Sequence, residues 1–147
     1  MVRTFTETVV LPLASPRDAE ATGRAVRPYL DGTSDHVLVV HVIEKAGGAP
    51  DKVPVEQARM RADEIFATVE AAFADSDVPV ETRVVYDTDV ARAILAVAED
   101  ASATSIVVTP RGASRWMKML SGEVMPSLVN DTDRPVIVIP EREAEGG

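Results

Sequence analysis

Residues 109 to 123 read TPRGASRWMKMLSGE, and two features of that run suit the binding of an anion. Gly112 and Gly122 stand where a backbone needs freedom to bend around a charged group and turn successive N–H donors toward it. Arg111, Arg115 and Lys118 add positive charge, and no acid lies between Pro110 and Leu120. Glu123, directly after Gly122, works against both features. Two unit charges about 5 Å apart at an effective dielectric near 20 repel by roughly 3 kcal/mol, about two decades of affinity. The same residues have a structural use, in which Glu123 is a built-in anion for Arg111, Lys118 and the start of the helix that follows.

The rest of the chain offers little to do chemistry with. There is no cysteine, which removes disulfides, thiolate nucleophiles and thiolate metal sites together. His36 and His41 are the only imidazoles, so a zinc site would need carboxylates for most of its ligands, and no metal is expected. His41 has no nucleophile spaced to use it and reads as a packed strand-end residue. The run DTD at 87–89 reads as a turn and helix cap. A nucleotide hydrolase would find a clamp in Arg111, Arg115 and Lys118 but no positioned base, so no enzymatic activity is expected. Trp116, the only tryptophan, either covers the loop's underside with Met117 or Met119 or anchors a partner.

A scaffold must hold these residues, and its pattern is plain. The 147 residues fit one domain, over 1–140, with a polar tail at 141–147. Hydrophobic residues make up 46% and aromatics only 4%, a mix suited to buried Val-rich strands under Ala-rich helices. Strands are predicted at 8–13, 36–43, 80–86, 105–109 and 135–140. Between them, 16–30 makes a helix with Pro16 in its first turn, and Ala58, Ala62, Ile65, Phe66, Val69 and Phe73 form one apolar stripe. Ala91, Ile94, Leu95 and Ala98 repeat the stripe on a helix that Asp89 caps. Such alternation implies an α/β fold: one doubly wound, five-stranded parallel sheet, strand order 3-2-1-4-5, helices on both faces. Any ligand crevice belongs where strands one and four diverge at their carboxyl ends. The segment 44–52, with two glycines and a proline, is a surface loop.

Net charge is −9 and the sequence pI about 4.7, which argues against nucleic acid or an anionic membrane as a partner. Only Lys45, Lys52 and Lys118 among the 15 basic residues are lysine. An acidic, lysine-poor surface of this kind suits high salt, where screening relieves self-repulsion. The N-terminus has no signal-like apolar run and no window is long enough to span a bilayer, so a soluble, cytoplasmic protein is expected.

The last third resembles the universal stress protein family, whose members end with a strand, G-x-x-G-x(9)-G-[ST], a helix and a strand bearing P-V-x-V. Here SIVVT is followed by Thr109-x-x-Gly112, nine residues, Gly122-Glu123 and then RPVIVIP. Upstream, TVVLPL is similar to the family's first strand, VVHVIE to its second, and TDVARAILAVAED to its GDPAEAILEVAEE segment. In the nucleotide-binding branch the resemblance implies that this loop wraps the phosphates of ATP or AMP, with magnesium, and that the backbone of Val42 lies near the adenine. Four departures weaken the implied site. Thr109 replaces the first glycine, Glu123 replaces the hydroxyl residue, Ala14 stands where relatives carry an acid that contacts the nucleoside, and Pro126 falls where the family helix is already running. The resemblance also implies a homodimer through the last strand, at Val136, Ile137, Val138 and Ile139. The expected role is a non-catalytic, dimeric stress-response module acting through association with another protein, its nucleotide binding weakened or lost. The alternative is a regulatory module that binds ATP or AMP through 109–123.

Overall fold

A computed structural model describes residues 4–32, 36–44, 55–109 and 124–140. Five parallel strands form one sheet in the order β3-β2-β1-β4-β5. They are β1 (Thr8–Pro12), β2 (His36–Glu44), β3 (Val80–Asp87), β4 (Ser105–Val108) and β5 (Val136–Val138). The helices α1 (Pro16–Leu30), α2 (Val55–Ala72), α3 (Val90–Asp100) and α4 (Met125–Asp131) lie between them.

Side chains alternate across the strands and sort the core into two layers. Val9, Leu11, Val37, Val39 and Val107 pack with Ala19, Val26, Ile65 and Val69 of α1 and α2. Val10, Leu38, Val40, Ile106 and Val108 pack with Ile94, Val97 and Leu128 of α3 and α4. Since both faces are covered, the strands need apolar residues at consecutive positions, and the Val-rich runs supply them. The α2 stripe falls as its spacing requires: Ala62, Ile65, Val69 and Phe73 are buried, and Ala58 and Phe66 are half-buried.

Local chemistry sets the helix limits. Ser15 caps α1, its Oγ accepting from the Asp18 N–H at 3.1 Å, and Pro16 follows where no N–H is needed. Asp89 caps α3 in the same way through the Arg92 N–H. At the other end of α3, Ser102 turns into the left-handed region at φ 52°, the Ala103 N–H reaches the Ala98 carbonyl, and the Ser102 N–H reaches Glu99. That pair of bonds is a Schellman stop, and it steers the chain directly into β4.

The two helices on one face approach closely because Gly23 has no side chain there. A Cβ on Gly23 would lie 2.9 Å from the Ala72 methyl. One turn on, Arg27 donates from Nη1 to the Ala72 carbonyl at 3.0 Å and to Asp75 at 2.6 Å, and from Nε to Asp31. The Ser76 hydroxyl donates to Asp31 as well, so α1 and the end of α2 are tied at a single place. Gly23→Ala should destabilise the protein by about 1 kcal/mol, an overpacking cost of roughly 2 less a helix-propensity gain of about 1. Urea denaturation checks this, and adding Ala72→Gly should recover part of the loss.

Candidate functional site

The site begins with a difference in strand length. β1 ends at Pro12, which pairs with Val40, whereas β2 continues to Glu44 with β3 still beside it. Just past the end of β1, the Leu13 N–H donates to the Val40 carbonyl at 2.9 Å, so Val40 turns its peptide groups toward β1. Peptide directions repeat every second residue in a strand, and the N–H and C=O of Val42 therefore face the side that β1 has left. A donor and an acceptor are offered there side by side.

The space beside them is a small cleft of about 80 Å³, walled by Pro12, Leu13 and Ala14 from the exit of β1, Val40, His41 and Val42 from β2, and Val90 and Ile94 from α3. It lies at the carboxyl ends of the strands, next to the point where the chain order reverses between β1 and β4. Ala14 is half-buried against the α3 layer and brings no charge to the wall.

His41 is the one titratable group among these lining residues. It is 7% exposed, and its Nδ1 lies 2.9 Å from the Leu13 carbonyl. Nδ1 is the donor in that bond, since a carbonyl can only accept. Burial pushes its pKa below the ordinary value; the Leu13 carbonyl raises it and the positive charge of Arg61 lowers it further. A neutral ring whose N–H is already committed fixes the exit of β1. Sequence reasoning read His41 as packed but missed this tie, because its partner is a backbone atom 28 residues away.

At the end of β3, Asp87 accepts from Arg92 and from the Asp89 N–H, and the arginine holds its carboxyl below the usual carboxylate range. The DTD run is thus a cap and a latch. Thr109, at the end of β4, is fully buried and its hydroxyl has no hydrogen-bond partner among the described residues. Its φ is not positive, so threonine meets no backbone strain at the position where the resemblance implies a glycine.

Of the loop residues singled out in the sequence, Arg111, Gly112, Arg115, Trp116, Lys118, Gly122 and Glu123 lie outside the described residues. The tail 141–147 does too. Beyond the loop, α4 starts at Met125 with no side-chain cap bond, and Pro126 stands in its first turn, where a missing N–H is tolerated. At the sheet edge, β5 is only three residues long. Val138 is 49% exposed there, and Val129 of α4 is 56% exposed. Ile139, expected on the same edge, is instead buried in the α1 layer, and its N–H donates to the Val108 carbonyl.

A family model described as the universal stress protein family matches residues 6–140. The chain belongs to that family. No curated protein matches this universal stress protein. Solved structures share its fold at low identity. The hypothetical protein MJ0577 superposes with a TM-score of 0.73 at 17% identity, over 96% of this chain and 100% of that one. A universal stress protein from Archaeoglobus fulgidus in complex with dAMP gives 0.61 at 18%, over 92% and 99%. A family member from Arabidopsis thaliana with AMP bound gives 0.59 at 18%, over 96% of each chain.

The depressed pKa of His41 carries a pH dependence. Between the lowered folded value and about 6.5, the unfolded chain binds a proton that the folded one refuses, so stability falls as pH drops through that window. In His41→Gln the loss of stability between pH 8 and pH 5.5 should be smaller than in the parent. At pH 8 the variant should itself be weaker by about 1–3 kcal/mol, with the Leu13 carbonyl left short of its donor. Urea titrations at the two pH values measure both effects.

Proposed function

We propose that this universal stress protein is a non-enzymatic regulatory module whose crevice takes the base end of an adenine nucleotide while its loop gives the phosphates little hold. The observation that carries the reading is the overrun of β2 past β1, which turns the Val42 N–H and C=O toward an apolar cleft. A purine edge presents an acceptor beside a donor and fits such a pair. Relatives of the same fold have been seen with dAMP and with AMP. Two positions support the weak grip: Ala14 contributes no carboxylate, and Glu123 sets a negative charge in the run that would meet phosphate. His41 has no nucleophilic side chain beside it among the residues that line the cleft, which supports the absence of chemistry.

Calorimetry with adenosine, AMP and Mg-ATP, at low and high salt, tests this. The wild type should bind all three weakly and gain nothing as phosphates are added, whereas Glu123→Ser should gain affinity with each phosphate, up to about two decades for Mg-ATP at low salt. Micromolar binding of Mg-ATP by the wild type would end the reading and make 109–123 a working nucleotide loop.

The module is further proposed to act in the cytoplasm as a homodimer through β5, and to signal by associating with another protein. A short, half-exposed edge strand with Val138 and Val129 facing outward is a surface that proteins cover. Among the described residues no helix is long and apolar enough to cross a membrane. Light scattering should give twice the 15.7 kDa chain mass, and Val138→Lys combined with Val129→Asp should return it to that of one chain.

A further inference from the structure

A second hollow lies at the opposite end of the sheet, where the amino ends of β1, β4 and β5 meet. The Schellman stop after α3 delivers Ala103 and Thr104 to one wall. The hydroxyls of Thr104 and Ser105 both donate to the Phe5 carbonyl, at 2.9 and 2.6 Å, and Thr104 Oγ1 accepts from the Thr8 N–H. These bonds pin the Phe5 backbone while the residue stays 64% exposed. Across the gap, Asp133, Arg134 and Pro135 lead into β5 and complete an open hollow of about 300 Å³, at the small end of the range usual for ligand sites.

Arg134 is held in place to an unusual degree for a cation near the surface. Its Nε–H donates to the Ala103 carbonyl at 3.0 Å, its backbone is fixed on both sides by Thr132 Oγ1, and its side chain is only 18% exposed. Nη1 donates to Asp133 at 2.7 Å, and nothing among the described residues accepts from Nη2. Asp133 is 74% exposed, and an ion pair with so wet a partner holds weakly. It is a carboxylate already resting on the guanidinium, and one that another carboxylate can replace at small cost. The guanidinium needs no ordering to receive two oxygens, and Phe5 and Pro135 offer flat apolar surface beside it.

We propose that this hollow is a second ligand site, separate from the switch-point crevice, for a small carboxylate carried on a flat apolar body. The inference does not depend on the nucleotide reading.

Phenylacetate is the probe, titrated into the full chain at low salt and followed by amide and arginine Nε–H resonances. Signals of Phe5, Thr104 and Arg134 should move together at millimolar phenylacetate. Acetate, which lacks the ring, and 2-phenylethanol, which lacks the charge, should leave them in place at the same concentration. Asp133→Asn removes the competing carboxylate and should tighten binding about two- to fivefold, the range set by an exposed ion pair. Phe5→Ala, an exposed change that leaves the backbone clasp intact, should weaken it severalfold, and Arg134→Gln should abolish it. The proposal fails if phenylacetate moves no resonance around the hollow at tens of millimolar, if the alcohol works as well as the acid, or if Asp133→Asn and Phe5→Ala both leave the affinity unchanged.

Discussion

The constraint from which the molecule follows is that β1 meets water on neither face. Val9, Val10 and Leu11 are fully buried, with β2 on one side and β4 on the other. A strand in that position must be apolar at every residue, and its backbone groups must all be met by the neighbouring strands. Two layers of helix are then obligatory. The chain winds outward from β1 through α1 and α2 on one face, returns across α3, and winds outward again through β4 and β5 on the other. Where the two directions part, none of the described helices covers the carboxyl ends, and an opening is left beside the exit of β1. The crevice is thus a topological consequence of burying β1, and its particular chemistry depends only on how far each strand runs.

With few aromatics, the core is filled by small side chains brought close together, and the polar groups caught among them need partners. Most are provided for: His41 by the Leu13 carbonyl, and Thr104 and Ser105 by the carbonyl of Phe5. The buried hydroxyls of Thr22 and Thr109 have none among the described residues, an arrangement that costs about 1–3 kcal/mol for each. Gly23 and Arg27 act in series on the same helix pair, the first by letting α1 and α2 approach and the second by locking them in register through Ala72. The carboxyl end of the sheet is held by backbone carbonyls, its amino end by hydroxyls, and the two hollows inherit these different edges.

The sheet order, both helix layers and the cap at Asp89 were legible because each is written in local pattern: β-branched runs, the apolar stripes of α2 and α3, an Asp at the right step; the cap at Ser15 went unread. Strand ends were less so. Expected strands at 105–109 and 135–140 shrink to Ser105–Val108 and Val136–Val138, since pairing stops where a neighbour leaves, and no residue type announces that. The place of the crevice followed from the strand order, and the family resemblance pointed to Val42, but the overrun of β2 past β1 that forms it was hidden for the same reason. Its offered groups are the peptide N–H and C=O of Val42, which any residue would supply, and their exposure comes from a register between distant strands. The ties of His41 to Leu13, Arg92 to Asp87 and Arg134 to Ala103 join atoms that sequence spacing does not bring together.

On the proposed reading, magnitudes decide what kind of site the crevice makes. Two neutral hydrogen bonds to Val42 contribute about 1–3 kcal/mol between them, and contact of a base with Pro12, Val40, Val90 and Ile94 adds a few more. Ordering a free nucleotide costs at least about 4 kcal/mol, so the surplus is a few kcal/mol at most and the binding no tighter than millimolar. A phosphate cradle would ordinarily lift that by several decades through charge-assisted bonds. A carboxylate about 5 Å from that phosphate subtracts roughly 3 kcal/mol from the same interaction and cancels much of it, and this is the effect the proposal assigns to Glu123. Under the proposal a crevice with those terms would fill only when nucleotide is abundant and empty as the concentration falls, as a sensor of supply does and a protein with a resident cofactor does not.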